Sequence, residues 1–209
     1  MFPGREIMKR HRFFSLLLAA GLVAIASDAF PITGEEALAK FQGRMNGIRT
    51  MRGTISWTDE SGFIYTGNFK YMAPGKIHVK FTPSGKIIAS NGRKLYVYNP
   101  SSNICGIQEL GGGNSGGISA LVGGYMAIAF GGAGGYTIKL SGNDRHYTNI
   151  TLVTDGSFML KKAVLKTKEG GGTTISLSGV ITGEGISPGV FDFNVPPGAQ
   201  TVNNPLNIK

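Results

Sequence analysis

Reactive side chains are scarce in this 209-residue chain. It has a single cysteine, Cys105, three histidines, and 12 carboxylates against 21 lysines and arginines. One cysteine cannot close an internal disulfide even where an oxidising compartment permits one, so Cys105 reads as a small strand or loop residue. Beyond the N-terminal segment only His78 and His146 remain, with no second ligand at zinc-site spacing, so no metal is expected. The carboxylates are scattered, and Glu35-Glu36 and Asp59-Glu60 fall at a helix start and a hairpin turn, where local structure already explains them. The glycine tract "GGGNSGG" lacks the Lys-Ser/Thr ending of a phosphate-cradling loop. No nucleophile, base or ligand set stands out, and the expectation is a protein without enzymatic activity and without a cofactor.

Long hydrophobic runs are missing too. The longest, Phe13 to Ala24, has twelve residues, well short of the roughly 20 that span a bilayer as a helix. It follows the basic cluster Lys9-Arg10-His11-Arg12 and precedes small residues, Ala24-Ile25-Ala26 or Ser27-Asp28-Ala29, which is the pattern of a cleaved secretory signal. Residues 1–29 are therefore read as a signal peptide, with Met8 an alternative start, and residues 30–209 as one exported domain. No cysteine lies near either cleavage point, so the chain is not expected to be lipidated. Removing Arg5, Lys9, Arg10 and Arg12 leaves 17 of the 21 basic residues, and removing Glu6 and Asp28 leaves 10 of the 12 acidic ones, a net charge of +7. The lysines sit at alternate strand positions without interleaved stacking aromatics, so the surplus suits an acidic membrane or partner, or solubility, and not nucleic acid.

Residues 33–49, "TGEEALAKFQGRMNGIR", open with Thr33 and Glu36 at capping-box spacing and continue with Leu38, Phe41, Met45 and Ile48 on one stripe, which predicts an amphipathic helix. From Gly53 to Pro100 the period changes to two, in short runs divided by Glu60-Ser61-Gly62, Pro74-Gly75, Pro83-Ser84-Gly85 and Asn91-Gly92. Short separators predict hairpins and hence an antiparallel meander. Trp57, Phe63, Tyr65, Phe69 and Tyr71 give it an aromatic face, and Ile77, Val79 and Phe81 alternate with Lys76, His78 and Lys80.

Residues 106–135 hold twelve glycines. Within them Ile118, Leu121, Val122, Tyr125, Met126 and Ala129 fall at helical spacing, which reads as a short, glycine-softened apolar helix or, alternatively, as an unstructured loop. Strands return with "YTIKL", "HYTNITLVT", "LKKAVLKT", "TTISLSGV" and "FDFNV". The expectation is a mainly β (α+β) fold, an incomplete antiparallel barrel of about ten to eleven strands with helices over its open face. Two readings of the apolar face stand. Either the helices complete a solid core, or they cover a hydrophobic cavity.

The order of motifs favours the cavity. An N-terminal helix, then "MRGTISWTD", "GNFKYMAPGKIHVKF", "IIASNGRKLYVYNP" and a closing "VFDFNVPPGAQTV", resembles the LolA-type outer-membrane lipoprotein carrier proteins over Thr33 to Val202. Gly67 followed by Pro74-Gly75, Ser90-Asn91-Gly92 with Leu95 to Pro100, and Phe191 to Gly198 are its most specific parts. The resemblance implies a soluble, monomeric periplasmic chaperone for lipoprotein transport and outer-membrane biogenesis. Such a carrier takes the acyl chains of lipoproteins from an inner-membrane ATP-driven release complex to an outer-membrane acceptor. On this reading Trp57, Phe63, Tyr65, Phe69, Tyr71, Ile77, Val79 and Phe81 bind the acyl chains, and Leu38, Phe41, Met45, Leu121, Val122 and Tyr125 form a lid that fills the empty cavity. Where the family commonly has an arginine just before the proline of its strand-turn-strand, this chain has Ala73, so the lid must be held by other residues. A general lipid or glycolipid carrier, and a lipid-sensing regulator of envelope stress, are the alternative functions on the same fold.

Overall fold

The computed structural model describes residues 32–110, 122–143 and 145–203. The signal peptide expected at residues 1–29 and the core of the glycine tract lie outside them. One α-helix, α1 (Gly34–Asn46), precedes β1 (Thr50–Thr58), β2 (Ile64–Met72), β3 (Lys76–Thr82), β4 (Ile87–Asn91), β5 (Lys94–Asn99) and β6 (Ile104–Glu109). Then come β7 (Met126–Gly132), β8 (Gly135–Ser141), β9 (Tyr147–Thr154), β10 (Leu160–Thr167), β11 (Gly172–Thr182), a single 3-10 turn (Pro188–Phe191) and β12 (Gln200–Asn203). All twelve strands belong to one sheet, in the order β12-β6-β5-β4-β3-β2-β1-β11-β10-β9-β8-β7. Two antiparallel meanders, β1 to β6 and β7 to β11, are joined by the β1–β11 pair, and among the described residues β7 and β12 are the two ends of the sheet and do not pair, so the barrel is not closed.

Each strand obeys period two, and register carries one face across the sheet. Met51 pairs with Tyr71, Gly53 with Phe69, Ile55 with Gly67 and Trp57 with Tyr65, while Phe69 pairs with Val79 and Tyr71 with Ile77. This inner face, continued by Ile138, Leu140, Ile150, Leu152 and Ala163, forms the main core together with Ala37, Leu38, Phe41 and Met45 of α1. The helix starts as its sequence directs. Thr33 caps it by accepting the Glu36 N–H at 3.1 Å, Glu35 and Glu36 lie in the first turn and Arg44 in the last. Its apolar stripe then leaves one orientation, stripe toward the inner face.

A second, smaller core lies on the outer face of β3 to β6. Ala89, Cys105 and Phe191 are fully buried there, and Phe193 packs on Tyr96 and Tyr98 with ring centroids 5.5 and 6.0 Å apart. The chain after β11 makes this layer, touching β3 and β4 through the 3-10 turn and then pairing β12 in parallel with β6. Asn103 fixes the crossing, its Nδ2 donating to the Gly198 carbonyl and its own carbonyl accepting the Gln200 N–H, both at 2.9 Å.

Several expectations are corrected. The sheet has twelve strands where ten or eleven were expected, and β6–β12 is a parallel pair in an otherwise antiparallel sheet. "FDFNV" is not a strand, because Phe191 ends the 3-10 turn and Phe193 packs on outer-face tyrosines without ladder partners. The helix expected to run through Met126 and Ala129 is instead β7, whose Ala127 and Ala129 face α1 while Met126, Ile128 and Phe130 face outward. A two-residue period wins there because β7 gains backbone bonds to β8 along its whole length. Among the described residues α1 supplies the α-helical cover, and Val122, at the edge of the cavity, is a further helical residue.

Candidate functional site

Between the C-terminal half of α1 and the inner face lies a cavity of about 390 Å³. Met45 and Ile48 come from the helix and its exit, Met51 and Ile55 from β1, Phe69 and Tyr71 from β2, and Ile77 from β3. Ile150 and Leu152 of β9, Leu160, Ala163 and Leu165 of β10 and Ile175 and Leu177 of β11 close the other side, with Val122 at the edge. Among the described residues, Asn46 and the Tyr71 hydroxyl are its polar side-chain groups, and no charged residue is in the lining. Burial pushes the Tyr71 phenol above its ordinary range, which keeps it neutral. Such a wall offers no general base, nucleophile or cation. It can remove an apolar chain from water, at about 0.8 kcal/mol for each CH₂ buried.

Of the residues singled out from sequence, Phe69, Tyr71 and Ile77 line this cavity, as do Met45 and Val122. Val79 is buried in the core between the paired strands. Trp57, Tyr65 and Phe81 are grouped at the opposite end of β1 and β2, around a second pocket of about 290 Å³ with Ile88 and Val97. Their rings meet at 6.0 Å for Trp57–Phe81 and 5.9 Å for Tyr65–Phe81. Phe63 is a correction. It is 66% exposed and lines neither pocket, because it lies beyond the last β1–β2 pair in a turn where Asp59 Oδ1 accepts the Ser61 and Phe63 N–H groups.

Leu38 and Phe41 sit in the core under α1, and Tyr125, half-buried, donates its hydroxyl to the Tyr147 carbonyl at 2.8 Å. Leu121 lies outside the described residues. Sequence reading missed the contribution of β9 to β11, although "NITLVT", "KKAVLKT" and "TTISLSG" carry the alternation that puts Ile150, Leu152, Ala163, Leu165, Ile175 and Leu177 on one face. Ala73 makes no side-chain link to the lid. Its main chain donates its N–H to the Arg49 carbonyl at 2.8 Å, which extends the β1–β2 ladder one step beyond Thr50–Met72.

At its other end α1 rests on backbone. A Cβ on Gly34 would come 1.9 Å from the Ala127 carbonyl oxygen, so only glycine allows the first turn to settle on β7. A depression of about 470 Å³ over the glycine-rich β7–β8 hairpin is open to solvent and offers no apolar enclosure. Among the described residues no helix is long and apolar enough to cross a membrane, and no cluster of three or more His, Cys, Asp or Glu could hold a metal ion.

No family model matches the chain, and no curated protein matches it in sequence. Solved structures do match in shape. An uncharacterized conserved protein from Thermus thermophilus superposes with a TM-score of 0.56 at 12% identity, covering 81% of this chain and 98% of that one. MucB gives 0.51 at 13% identity over 77% of this chain, which spans 62% of MucB. A LolA superfamily protein from Nitrosomonas europaea aligns at 0.41 with 14% identity, over 78% of this chain and 98% of its own. At such identities the first two establish a shared fold, and the chemistry of the site rests on this chain's own residues.

Proposed function

We propose that the protein is an exported carrier that shelters the acyl chains of lipoproteins in the cavity under α1 and moves them from the inner to the outer membrane. The observation that carries this reading is the cavity's lining, apolar but for Asn46 and the Tyr71 hydroxyl, and covered by a helix whose Met45 reaches into it. A solid core would leave no such space. The resemblance of the strand and turn motifs to lipoprotein carriers supplies the lipoprotein, the two membrane partners and the periplasmic setting.

The roof also answers a thermodynamic difficulty. Sequestering long acyl chains completely would be too favourable for release, since each CH₂ contributes about 0.8 kcal/mol. A helix that occupies the empty site competes with cargo and offsets part of that gain, so loading and unloading differ by a small free energy.

The test adds residues 30–209 to spheroplasts carrying labelled lipoproteins and analyses the soluble fraction. A soluble lipoprotein complex is the expected product. Ile77→Glu places a carboxylate in the apolar wall and is expected to abolish the complex while leaving the circular dichroism spectrum and thermal transition recognisable. Release of free phospholipid or glycolipid alone would replace the cargo assignment with a general lipid carrier. Normal loading of Ile77→Glu would remove β3 from the site.

A further inference from the structure

The twelve strands hold nine lysines and arginines and one carboxylate, Glu109, which is paired with Lys94 at 2.9 Å. Register places Lys139, Lys162 and Lys166 on the outer face of β8 and β10, opposite the buried phase of Ile138, Leu140 and Ala163, and all three are exposed. On the same face, at the free edge, β7 turns out Met126, Ile128 and Phe130, which are 76%, 56% and 55% exposed. Ile128 pairs directly with Lys139, whose ammonium also lies 5.5 Å from the centre of the Phe130 ring. Edge strands of soluble proteins ordinarily carry a charge or proline against stray pairing, and β7, "MAIAFGG", has neither.

Three large apolar side chains in a row, with Lys139 one strand behind them and Lys162 and Lys166 three strands behind on the same face, match the interface of an anionic bilayer. Apolar tips enter the acyl boundary while ammonium groups stay at the level of the phosphates. A second copy of the chain fits less well, because an antiparallel β7–β7 pair would bring together two sets of lysines with no carboxylate on either set of strands to offset them. We infer that the outer face of β7 to β10 is a docking surface for anionic lipid membranes, with Met126, Ile128 and Phe130 inserting and Lys139, Lys162 and Lys166 meeting the headgroups. This surface is on the opposite face of the sheet from the cavity and does not depend on what the cavity carries.

Flotation with vesicles tests it. The full-length mature chain is expected to float with phosphatidylglycerol-containing vesicles at least about tenfold better than with pure phosphatidylcholine, and to come off as salt is raised to roughly 0.5 M. Ile128→Asp and the double variant Lys139→Glu/Lys162→Glu are each expected to reduce flotation by about tenfold. Binding of a fluorescent fatty acid, read in parallel, is expected to be unchanged in both and thus reports an intact fold and cavity. Flotation indifferent to lipid charge and salt, or variants that float like the parent, would overturn the proposal. So would a dimer in sedimentation equilibrium that Ile128→Asp dissolves, since a second copy would then be the occupant. Flotation that persists when the fatty acid fails to bind leaves the docking surface standing and removes the carrier reading instead.

Discussion

Gly67 sits on the inner face where β2 crosses closest to β3. A Cβ there would come 2.3 Å from the Lys80 carbonyl oxygen and 2.8 Å from the Phe81 Cα, so the two strands approach as they do only because the side chain is absent. On the outer face of the same pair, His78 is half-buried between Lys70 across the strand and Lys80 two residues on. Burial first, and then the two ammonium groups, hold its imidazole below the ordinary value of 6.5 and keep it neutral. The unfolded chain takes up its proton as pH falls through about 6.5, while the folded chain resists until lower pH. Stability therefore falls as pH drops through that window and levels off below the folded value. Urea midpoints at about pH 7.5 and pH 5 are expected to differ less for His78→Gln than for the parent, and an equal difference would mean other groups control the acid side.

The element that covers the cavity is α1. It is held by its apolar stripe and by the glycine contact at Gly34. Gly34→Ala should lift the first turn off β7. The expected result is a melting temperature lower by several degrees, faster amide exchange across residues 37–46, and severalfold tighter uptake of a fatty-acid probe, because the competing lid is weakened. A weaker lid with unchanged uptake would show that α1 does not compete for the site. The helix was legible in sequence because Leu38, Phe41 and Met45 keep one period and Thr33 marks the start, and nine strands were legible because short runs rich in β-branched and aromatic residues are bounded by turn residues. β7 was not, since Val122, Tyr125, Met126 and Ala129 satisfy helical spacing while both faces of "MAIAF" are apolar, so alternation gives no contrast and only pairing with β8 decides. β6 and β12 were hidden for a related reason. "ICGIQE" is buried at Cys105, Gly106 and Gln108 without alternation, and "QTVN" is exposed throughout, so its strand exists only through its parallel bonds to β6. Phe63 was misplaced because its phase matches Tyr65 while the sheet has already ended.

At the scale of the molecule, capacity follows from volume. If a methylene takes about the 30 Å³ share of a water molecule, a cavity of about 390 Å³ holds roughly a dozen carbons, or most of one acyl chain. Native mass spectrometry with hexadecanoic acid is expected to show a single bound molecule. Lipids with two or three chains should bind only with accelerated exchange in α1, and two fatty acids bound with no change in α1 would refute that limit. The first and last strands of the sheet, β7 and β12, are not paired to each other. In a closed barrel the bore is set by strand number and stagger and cannot change without breaking ladders. Here the wall is a sleeve slit along its length. Its girth can widen or narrow by a small added roll at each strand pair while every backbone ladder stays intact, so the volume under α1 is not fixed by the strand count.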